Sequence, residues 1–173
     1  AWQADQAQTG GAGKGESGDV VPIIMDVTSD ESVLEGSVTV SRVLAERQLD
    51  VAAIINNAGV NANGGILSDS GSVSSYEWNF AVNVFGVVRV TRQFLPAMKR
   101  SGKGGRVINV GSVAGFIAAD KGSPYTSTKH ALEGLSDAWR RELAEDKISV
   151  SLIQPGFIAS KMCKRKVCDD AYL

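Results

Sequence analysis

The sequence predicts an α/β fold built on a parallel sheet. Apolar runs of strand length alternate along the chain with longer segments whose apolar residues recur at helical spacing. The run at 51–55 (VAAII) is apolar throughout, which is typical of a parallel strand covered on both faces. Because 173 residues suffice for one domain with a sizeable core, we expect a single doubly wound sheet with helices on both of its faces.

Residues 1–19 are interpreted as a flexible lead-in, with the folded domain spanning 20–173. The lead-in contains a formal G-x-G-x-x-G pattern at Gly13, Gly15 and Gly18. In a dinucleotide site such glycines follow a strand and begin a helix, whose free amide groups face the pyrophosphate. Here they precede a strand instead, so we interpret the stretch as a linker.

The first predicted strand covers residues 20–25 (VVPIIM), and Pro22 restricts it to the edge of the sheet. A helix follows. Thr28 and Glu31 form a capping box at its start, and it ends near Gln48. The apolar run VAAII is the next strand.

Longer elements fill the rest of the chain. A helix is predicted over 75–100, with Pro96 kinking its last turns. A second amphipathic helix is predicted over 123–145, between strands at 106–110 and 148–153. Strands that alternate with helices in this way indicate parallel β-α-β units.

Composition excludes several classes of function. A net charge of −1 offers no basic surface for a nucleic acid or an anionic membrane, and no apolar run has the length of a membrane-spanning helix. Cys163 and Cys168 are interpreted as ordinary thiols in a reducing compartment, with the cytoplasm as the expected location. With His130 as the one histidine, no metal site is expected.

Three polar clusters lie where ligands bind in parallel sheets, beyond the carboxyl ends of the strands. Asn-Asn-Ala-Gly at 56–59 ends the 51–55 strand, and Ser112 follows the next strand. Tyr125 and Lys129 lie four residues apart at the start of a helix, thirteen residues beyond Ser112, so they share one helix face.

This spacing of tyrosine and lysine has a chemical use. A free phenol has a pKa near ~10 and accepts protons poorly at neutral pH. The ammonium of Lys129 would stabilise the phenolate and lower the pKa of Tyr125. The phenol could then exchange a proton with an alcohol or carbonyl, while the hydroxyl of Ser112 bonds the same oxygen.

Together with Pro155-Gly156 after the last strand, these motifs resemble the short-chain dehydrogenase/reductase family. The resemblance extends from about Val20 to Ser160. It implies a Rossmann-like doubly wound parallel sheet, and reversible hydride transfer between NAD or NADP and a small-molecule alcohol or ketone.

The resemblance also implies catalytic roles. Tyr125 is the acid/base, Ser112 orients the substrate oxygen, and Lys129 lowers the pKa of the tyrosine and binds the nicotinamide ribose. Asn83 matches the asparagine that holds a proton-relay water. From the residues alone, Asn83 could instead bridge backbone groups.

For the cofactor, the resemblance implies that Asp26 bonds the adenine amino group and Ser160 the carboxamide. Asp26 could also be a simple turn residue at a strand end. The other implied cleft residues are Asn57, Ala58, Gly59, Pro155 and Gly156.

The resemblance begins at the family's third strand, so the predicted sheet is incomplete and lacks the first two strands and the last. The missing first strands would lie between the 20–25 and 51–55 strands. We expect these 173 residues alone to be inactive, and a non-catalytic remnant that serves as a binding or scaffold protein is the alternative. The family's association through two long helices suggests a homodimer or homotetramer, with the faces carrying Phe94 and Trp139 as candidate surfaces.

Overall fold

The structure, a computed structural model, describes residues 19–62, 64, 66, 72–118 and 120–158. Several sequence predictions lie outside the described residues, namely those on the glycines at 13–18, on Ser160, and on Cys163 and Cys168.

Helices and strands alternate along the chain. In order, they are α1 (Asp30–Arg47), β1 (Ala53–Asn56), α2 (Val73–Phe80), a π-helical segment (Ala81–Gly86), α3 (Val87–Arg100), β2 (Gly105–Val110), a 3-10 turn (Val113–Gly115), α4 (Ser123–Glu142) and β3 (Ile148–Ile153). The strand predicted at 148–153 is confirmed in full as β3. The other elements, apart from the 20–25 strand, are confirmed with ends that shift by one to three residues.

The three strands form one parallel sheet in the spatial order β1-β2-β3. Ile54 pairs with Val107, and Val107 with Val150. Because all three strands run in the same direction, the polar motifs at their carboxyl ends meet along one edge of the sheet.

The described helices cover one face of this sheet. Ile54, Val107 and Val150 are buried on that face, whereas Ile55 points to the other face and is 63% exposed. The expectation that the 51–55 strand is covered on both faces is therefore wrong within the described part of the chain. The apolar content of a strand does not show which segments of the protein pack on each face of the sheet.

The core lies between the sheet and the helices α3 and α4. Its buried members are Ile54, Met98, Val107, Leu143, Ile148 and Val150. Phe94 and Trp139 pack against this cluster. Both rings are partly buried against the chain's own core, and association through the helix faces that carry them stays a prediction.

Residues 20–25 form no strand, contrary to the sequence prediction. Ile24 is 96% exposed, and no described strand pairs with this segment. A strand needs a neighbour to satisfy its backbone groups, and Pro22 lacks an N–H donor. Side chains nevertheless hold this part of the chain in place: Met25 packs on Gly36 of α1, and just beyond the segment Val27 packs so closely on Gly86 that a Cβ there would lie 2.9 Å from Val27 Cγ2.

Ser29 caps helix α1 in place of Thr28. Ser29 Oγ accepts a hydrogen bond from Ser32 N at 3.1 Å. Thr28 instead donates from its backbone N and its Oγ1 to Asp26 Oδ1, at 2.8 and 2.7 Å. The predicted capping box of Thr28 and Glu31 is therefore wrong, because the threonine hydroxyl is engaged in the preceding turn.

Candidate active site

The loops that follow β2 and β3 lie side by side at the carboxyl edge of the sheet. Gly111 N donates to Ile153 O at 2.7 Å, and Val113 N donates to Pro155 O at 3.0 Å. These backbone bonds make Ser112 a neighbour of Pro155, although the two are far apart in the sequence. The structure thus brings together two motifs that were predicted separately.

Ser112 is held at the start of the 3-10 turn. Its backbone is extended, and its Oγ accepts a hydrogen bond from Ala114 N at 3.1 Å. The same hydroxyl lies close enough to the phenol of Tyr125 to influence the pKa of that phenol. Because a hydroxyl can donate and accept at once, the turn orients Ser112 without consuming its contact to the tyrosine.

Tyr125 lies in the first turn of α4, behind Pro124, whose missing N–H costs nothing at a helix start. The side chain is half-buried. Burial raises the pKa of Tyr125 above its ordinary value of 10.0, and the nearby hydroxyl of Ser112 opposes this rise. The predicted lowering of this pKa is therefore wrong for the chain by itself, because burial removes water from the phenolate.

Lys129 lies one turn further along α4 and is buried. Its Nζ donates to Val110 O at the end of β2, at 2.9 Å, and lies 5.4 Å from the ring centroid of Tyr125. Burial lowers the pKa of Lys129 from 10.5 to about 8. The ammonium is engaged by a ring face and a backbone carbonyl, so burial dominates the pKa of Tyr125.

Asn83 lies in the π-helical segment and is buried. Its Oδ1 accepts from Val60 N at 2.8 Å, and its Nδ2 donates to Val60 O at 2.9 Å and to Thr128 Oγ1 at 3.1 Å. Thr128 Oγ1 in turn donates to Tyr125 O at 2.7 Å. The side chain of Asn83 therefore bridges the loop after β1 to the helix of the tyrosine. A relay water held by Asn83 stays a prediction.

The π-helical geometry at Asn83 has no counterpart in the sequence prediction, which treated residues 75–100 as a regular helix. A π-helical turn inserts extra backbone into an α-helix and is frequent at functional sites. Here it lies next to the loop of residues 56–59 and opposite α4. The spacing of apolar residues does not indicate a π-helical turn, so it could not be predicted from the sequence.

A chain of buried amides lies under the site and was also missed. Asn56 Nδ2 donates to Thr91 Oγ1 at 2.9 Å and to Asn109 Oδ1 at 2.8 Å. Asn109 Nδ2 donates to Ser136 Oγ at 2.9 Å. All four side chains are buried, so β1 and β2 are tied to α3 and α4 by polar contacts directly beneath the loops. The asparagine inside the apolar strand RVINV was the available signal.

Two of the residues predicted to line the cofactor cleft, Asn57 and Ala58, border a cavity of about 190 Å³. Asn57 and Ala58 line it from the carboxyl end of β1, and Val27 lines it from the other side. Asn57 and Ala58 are exposed, and Gly59 continues the same loop toward Asn83. This cavity is separate from the loops at Ser112 and lies beside β1.

Asp26 lies in a turn. Its backbone O accepts from Ser29 N at 3.1 Å, and hydrogen bonds from Thr28 to its carboxylate, together with the charge of Arg89, hold the pKa of that carboxyl below its usual value. The carboxylate is exposed and ionised at neutral pH. The observed contacts of Asp26 are those of a turn residue. A contact between Asp26 and adenine stays a prediction.

Helix α1 does not offer a phosphate site, because Asp30 and Glu31 in its first turn repel anions. Within the described ranges, no group of three metal-ligating side chains comes together, and no helix is long and apolar enough to cross a membrane.

The chain matches known proteins over nearly its whole length. A sequence model described as short chain dehydrogenase matches residues 3–170. The match begins inside the segment 1–19, whose interpretation as a lead-in stays a prediction. The chain is 39% identical over 132 residues to YusZ of Bacillus subtilis, an uncharacterized oxidoreductase, and the match covers 76% of this chain and 44% of the relative.

A second relative is the mitochondrial D-beta-hydroxybutyrate dehydrogenase of Rattus norvegicus, at 34% identity over 139 residues, 80% of this chain and 39% of the relative. The chain thus spans less than half the length of these two relatives. A short chain dehydrogenase from Burkholderia cenocepacia, solved in complex with NADP, superimposes with a TM-score of 0.72 at 31% identity, over 85% of this chain and 59% of that structure. The chain belongs to the short-chain dehydrogenase/reductase family.

Proposed function

We propose that this chain carries the proton-transfer machinery of an oxidoreductase that moves a hydride between NAD or NADP and an alcohol or ketone. The observation that carries the proposal is the grouping of three side chains: the hydroxyl of Ser112 near the phenol of Tyr125, with Lys129 buried against the ring. A half-buried phenol that meets both a hydroxyl and an ammonium is suited to exchanging a proton with a substrate oxygen.

The bound cofactor supplies or accepts the hydride, and the residues of this chain manage the proton. In ketone reduction, the phenol of Tyr125 donates its proton to the carbonyl oxygen as negative charge develops there. Ser112 donates a hydrogen bond to the same oxygen and holds it within reach of the phenol. The raised pKa of Tyr125 keeps the phenol protonated at neutral pH, so the chain is prepared for reduction.

In alcohol oxidation, Tyr125 must accept a proton as the phenolate. The nearby ammonium of Lys129 stabilises that charge, and with a pKa of about 8 this lysine is mostly protonated at neutral pH. Because oxidation requires the phenolate of Tyr125 and reduction requires the phenol, we propose that oxidation is favoured at higher pH relative to reduction.

Several residues of the chain are suited to hold NAD or NADP. Asn57 and Ala58 are exposed at the rim of the cavity beside β1, which can take the adenosine end, with Asp26 nearby in the turn. Lys129 is proposed to bind the nicotinamide ribose. Gly156 lies on the loop after β3, and no atom of the described residues beyond its chain neighbours lies within 4 Å of the position that a Cβ would take there, so its backbone is accessible to a cofactor. A pyrophosphate would need a helix start other than the acidic one of α1.

Substitution of Tyr125 by phenylalanine tests the proposal. In an active protein that contains this chain, Tyr125→Phe should lower the rate of ketone reduction by about 100- to 10,000-fold, the range typical of general acid catalysis. The affinity for the cofactor should change little, because the substitution removes a proton donor and retains the ring. Absorbance of the reduced nicotinamide follows the rate, and calorimetry gives the affinity.

Tyr76→Phe is the matched control. Tyr76 also bonds a hydroxyl, that of Ser123 at 2.7 Å, but lies outside the proposed machinery. Near-normal rates in Tyr125→Phe, or equal losses in both variants, would refute the proposed role of Tyr125. If the unsubstituted protein binds another protein but turns over no ketone, that result would favour the alternative of a non-catalytic scaffold.

Association of two or more copies through the long helices also stays a proposal. Phe94 and Trp139 are partly buried against the core, and the exposed residues Trp78 and Phe85 offer a further candidate surface. Sedimentation of the protein with both residues changed to serine would show whether they support a dimer.

A further inference from the structure

The carboxylate of Glu133 lies where three parts of the candidate site meet. Glu133 belongs to α4 and follows Tyr125 and Lys129 at intervals of four residues, so the three side chains share one face of the helix. One of its oxygens, Oε1, contacts both the loop after β2 and the loop after β3. The proton transfer proposed for Tyr125 does not itself use this carboxylate.

The first contact is with Gly115, in the 3-10 turn after β2. The backbone approaches α4 so closely here that a Cβ on Gly115 would lie 2.6 Å from Glu133 Oε1 and 3.2 Å from Lys129 O. The same turn begins at Ser112, because Gly115 N donates to Ser112 O at 2.8 Å and Ala114 N donates to Ser112 Oγ at 3.1 Å. A side chain that fixes Gly115 therefore also fixes the position of Ser112 relative to α4.

The second contact is with the loop after β3. Gln154 Nε2 donates a hydrogen bond to Glu133 Oε1. The next residue, Pro155, accepts the hydrogen bond from Val113 N at 3.0 Å through its backbone O. Because Val113 is adjacent to Ser112, the carboxylate is connected to Ser112 by a second route, through a different loop.

A carboxylate on a long helix is well suited to hold two loops. Glu133 is partly buried and lies in the middle of α4, which spans 20 residues, so its backbone is fixed by helical hydrogen bonds on both sides. An ionised carboxylate accepts several hydrogen bonds at once, and bonds to it are roughly twice as strong as bonds between neutral groups.

From these contacts we infer that Glu133 is a positioning residue: its carboxylate sets the distance between Ser112 and Tyr125 by holding the loops after β2 and β3 against α4. The inference rests on the proposed function, in which Ser112 and Tyr125 meet the same substrate oxygen. A displacement of about 1 Å between reacting groups can lower a rate by about 100-fold. Loss of the carboxylate should therefore lower kcat and leave the binding of the cofactor nearly unchanged.

Kinetics of four variants test the inference in an active protein that contains this chain. Glu133→Leu removes the acceptor and keeps a side chain of similar size, so kcat for ketone reduction should fall by about 10- to 100-fold, with little change in the KM of the cofactor. Glu133→Gln keeps an oxygen that can accept from Gln154 and should recover most of the rate. Gln154→Leu removes the donor. In the double variant of Glu133→Leu and Gln154→Leu, the loss should be smaller than the product of the two single losses, because both changes remove the same contact.

Glu142→Leu is the matched control. Glu142 is an exposed glutamate in the last turn of the same helix, so this substitution makes the same chemical change away from both loops and should leave kcat unchanged. The inference is overturned if Glu142→Leu loses as much activity as Glu133→Leu, if Glu133→Gln recovers none of it, or if the losses from Glu133→Leu and Gln154→Leu multiply in full.

Amide NMR spectra of the isolated chain give a readout that needs no turnover. In Glu133→Leu, the amide signals of Val113 and Gly115 should shift, and the amide of Gly115 should exchange faster with solvent, because the turn loses its contact with α4. Unchanged signals at these two residues would overturn the inference even if Tyr125→Phe abolishes turnover. Shifted signals together with an undiminished rate in Tyr125→Phe would refute the proposed function alone, and Glu133 would remain the residue that holds the two loops.

Discussion

Burial acts in opposite directions on the two titrating residues of the site. It raises the pKa of Tyr125 and lowers the pKa of Lys129, so that both neutral forms are favoured. Their contact nevertheless keeps a cation beside the phenol ring at neutral pH. The phenol is thereby kept as a proton donor, and the lysine limits the cost of forming the phenolate.

The buried lysine predicts a dependence of stability on pH. Its pKa is about 8 in the folded chain and 10.5 as the ordinary value. Between these values the unfolded chain binds more protons, so the free energy of unfolding rises as pH increases through this window and the contribution is lost as pH falls below about 8. The total is of the order of 3 kcal/mol.

Urea unfolding of the chain and of Lys129→Met, between pH 7.5 and 10.5, measures this effect. The difference in unfolding free energy between the two proteins should change with pH in favour of the lysine form at higher pH, because methionine does not titrate. Other groups titrate in both proteins and cancel. A difference that stays constant over this range would contradict the assigned burial of Lys129.

The buried amide chain links separate elements. Asn109 accepts from Asn56 and donates to Ser136, so Asn109→Ala would leave two buried polar groups with fewer partners. We expect the free energy of unfolding to fall by about 1–3 kcal/mol. Urea unfolding measures the loss.

Asn57→Ala is the matched control for this substitution, since Asn57 is an exposed asparagine near Asn56. Its effect should stay within about 0.5 kcal/mol, as for most surface substitutions. If Asn109→Ala and Asn57→Ala cost the same, the amide chain does not hold the strands to the helices.

The segment of residues 20–25 is expected to exchange its amide protons rapidly. Ile24 is exposed and has no strand neighbour, whereas Ile54 is buried in β1 and paired with β2. Hydrogen exchange followed by NMR should therefore show weak protection at Ile24 and strong protection at Ile54. Comparable protection would mean that the segment pairs with a strand after all.

The elements that could be predicted are those whose signals are local. The strand at Ile148–Ile153 and the start of α4 at Ser123 follow from apolar runs and helical spacing. The strand predicted at 20–25 has an equally apolar run, but a strand forms only where a neighbouring strand accepts its hydrogen bonds. The sequence of residues 20–25 does not show whether such a neighbouring strand is present.

The features of the site also differ in whether they could be predicted from local sequence signals. Ser112, Tyr125 and Lys129 were found from spacing and resemblance, because the chemistry requires those residue types in that order. The hydrogen bonds of Asn83 to Val60 and Thr128, and the π-helical turn around it, depend on contacts distant in sequence. Sequence reasoning gave the residue and left its partners open.

At the scale of the whole molecule, the described residues form one covered sheet face, one carboxyl edge with the proposed proton donor, and a second sheet face on which Ile55 is exposed. The helix start that would hold a pyrophosphate in a parallel sheet is not among the described elements. Hydride transfer requires the nicotinamide at near-attack distance, so activity requires a phosphate-binding helix start in addition to the described elements.

The most direct measurement of the central claim is deuterium transfer from a reduced nicotinamide that carries deuterium at both C4 positions. An active protein that contains this chain is incubated with the labelled cofactor and a neutral ketone, and the alcohol is analysed by mass spectrometry. We predict one deuterium on the carbinol carbon with the unsubstituted chain, and loss of the labelled alcohol with Tyr125→Phe. Absence of deuterium transfer in the unsubstituted protein, or undiminished transfer in Tyr125→Phe, would contradict the account.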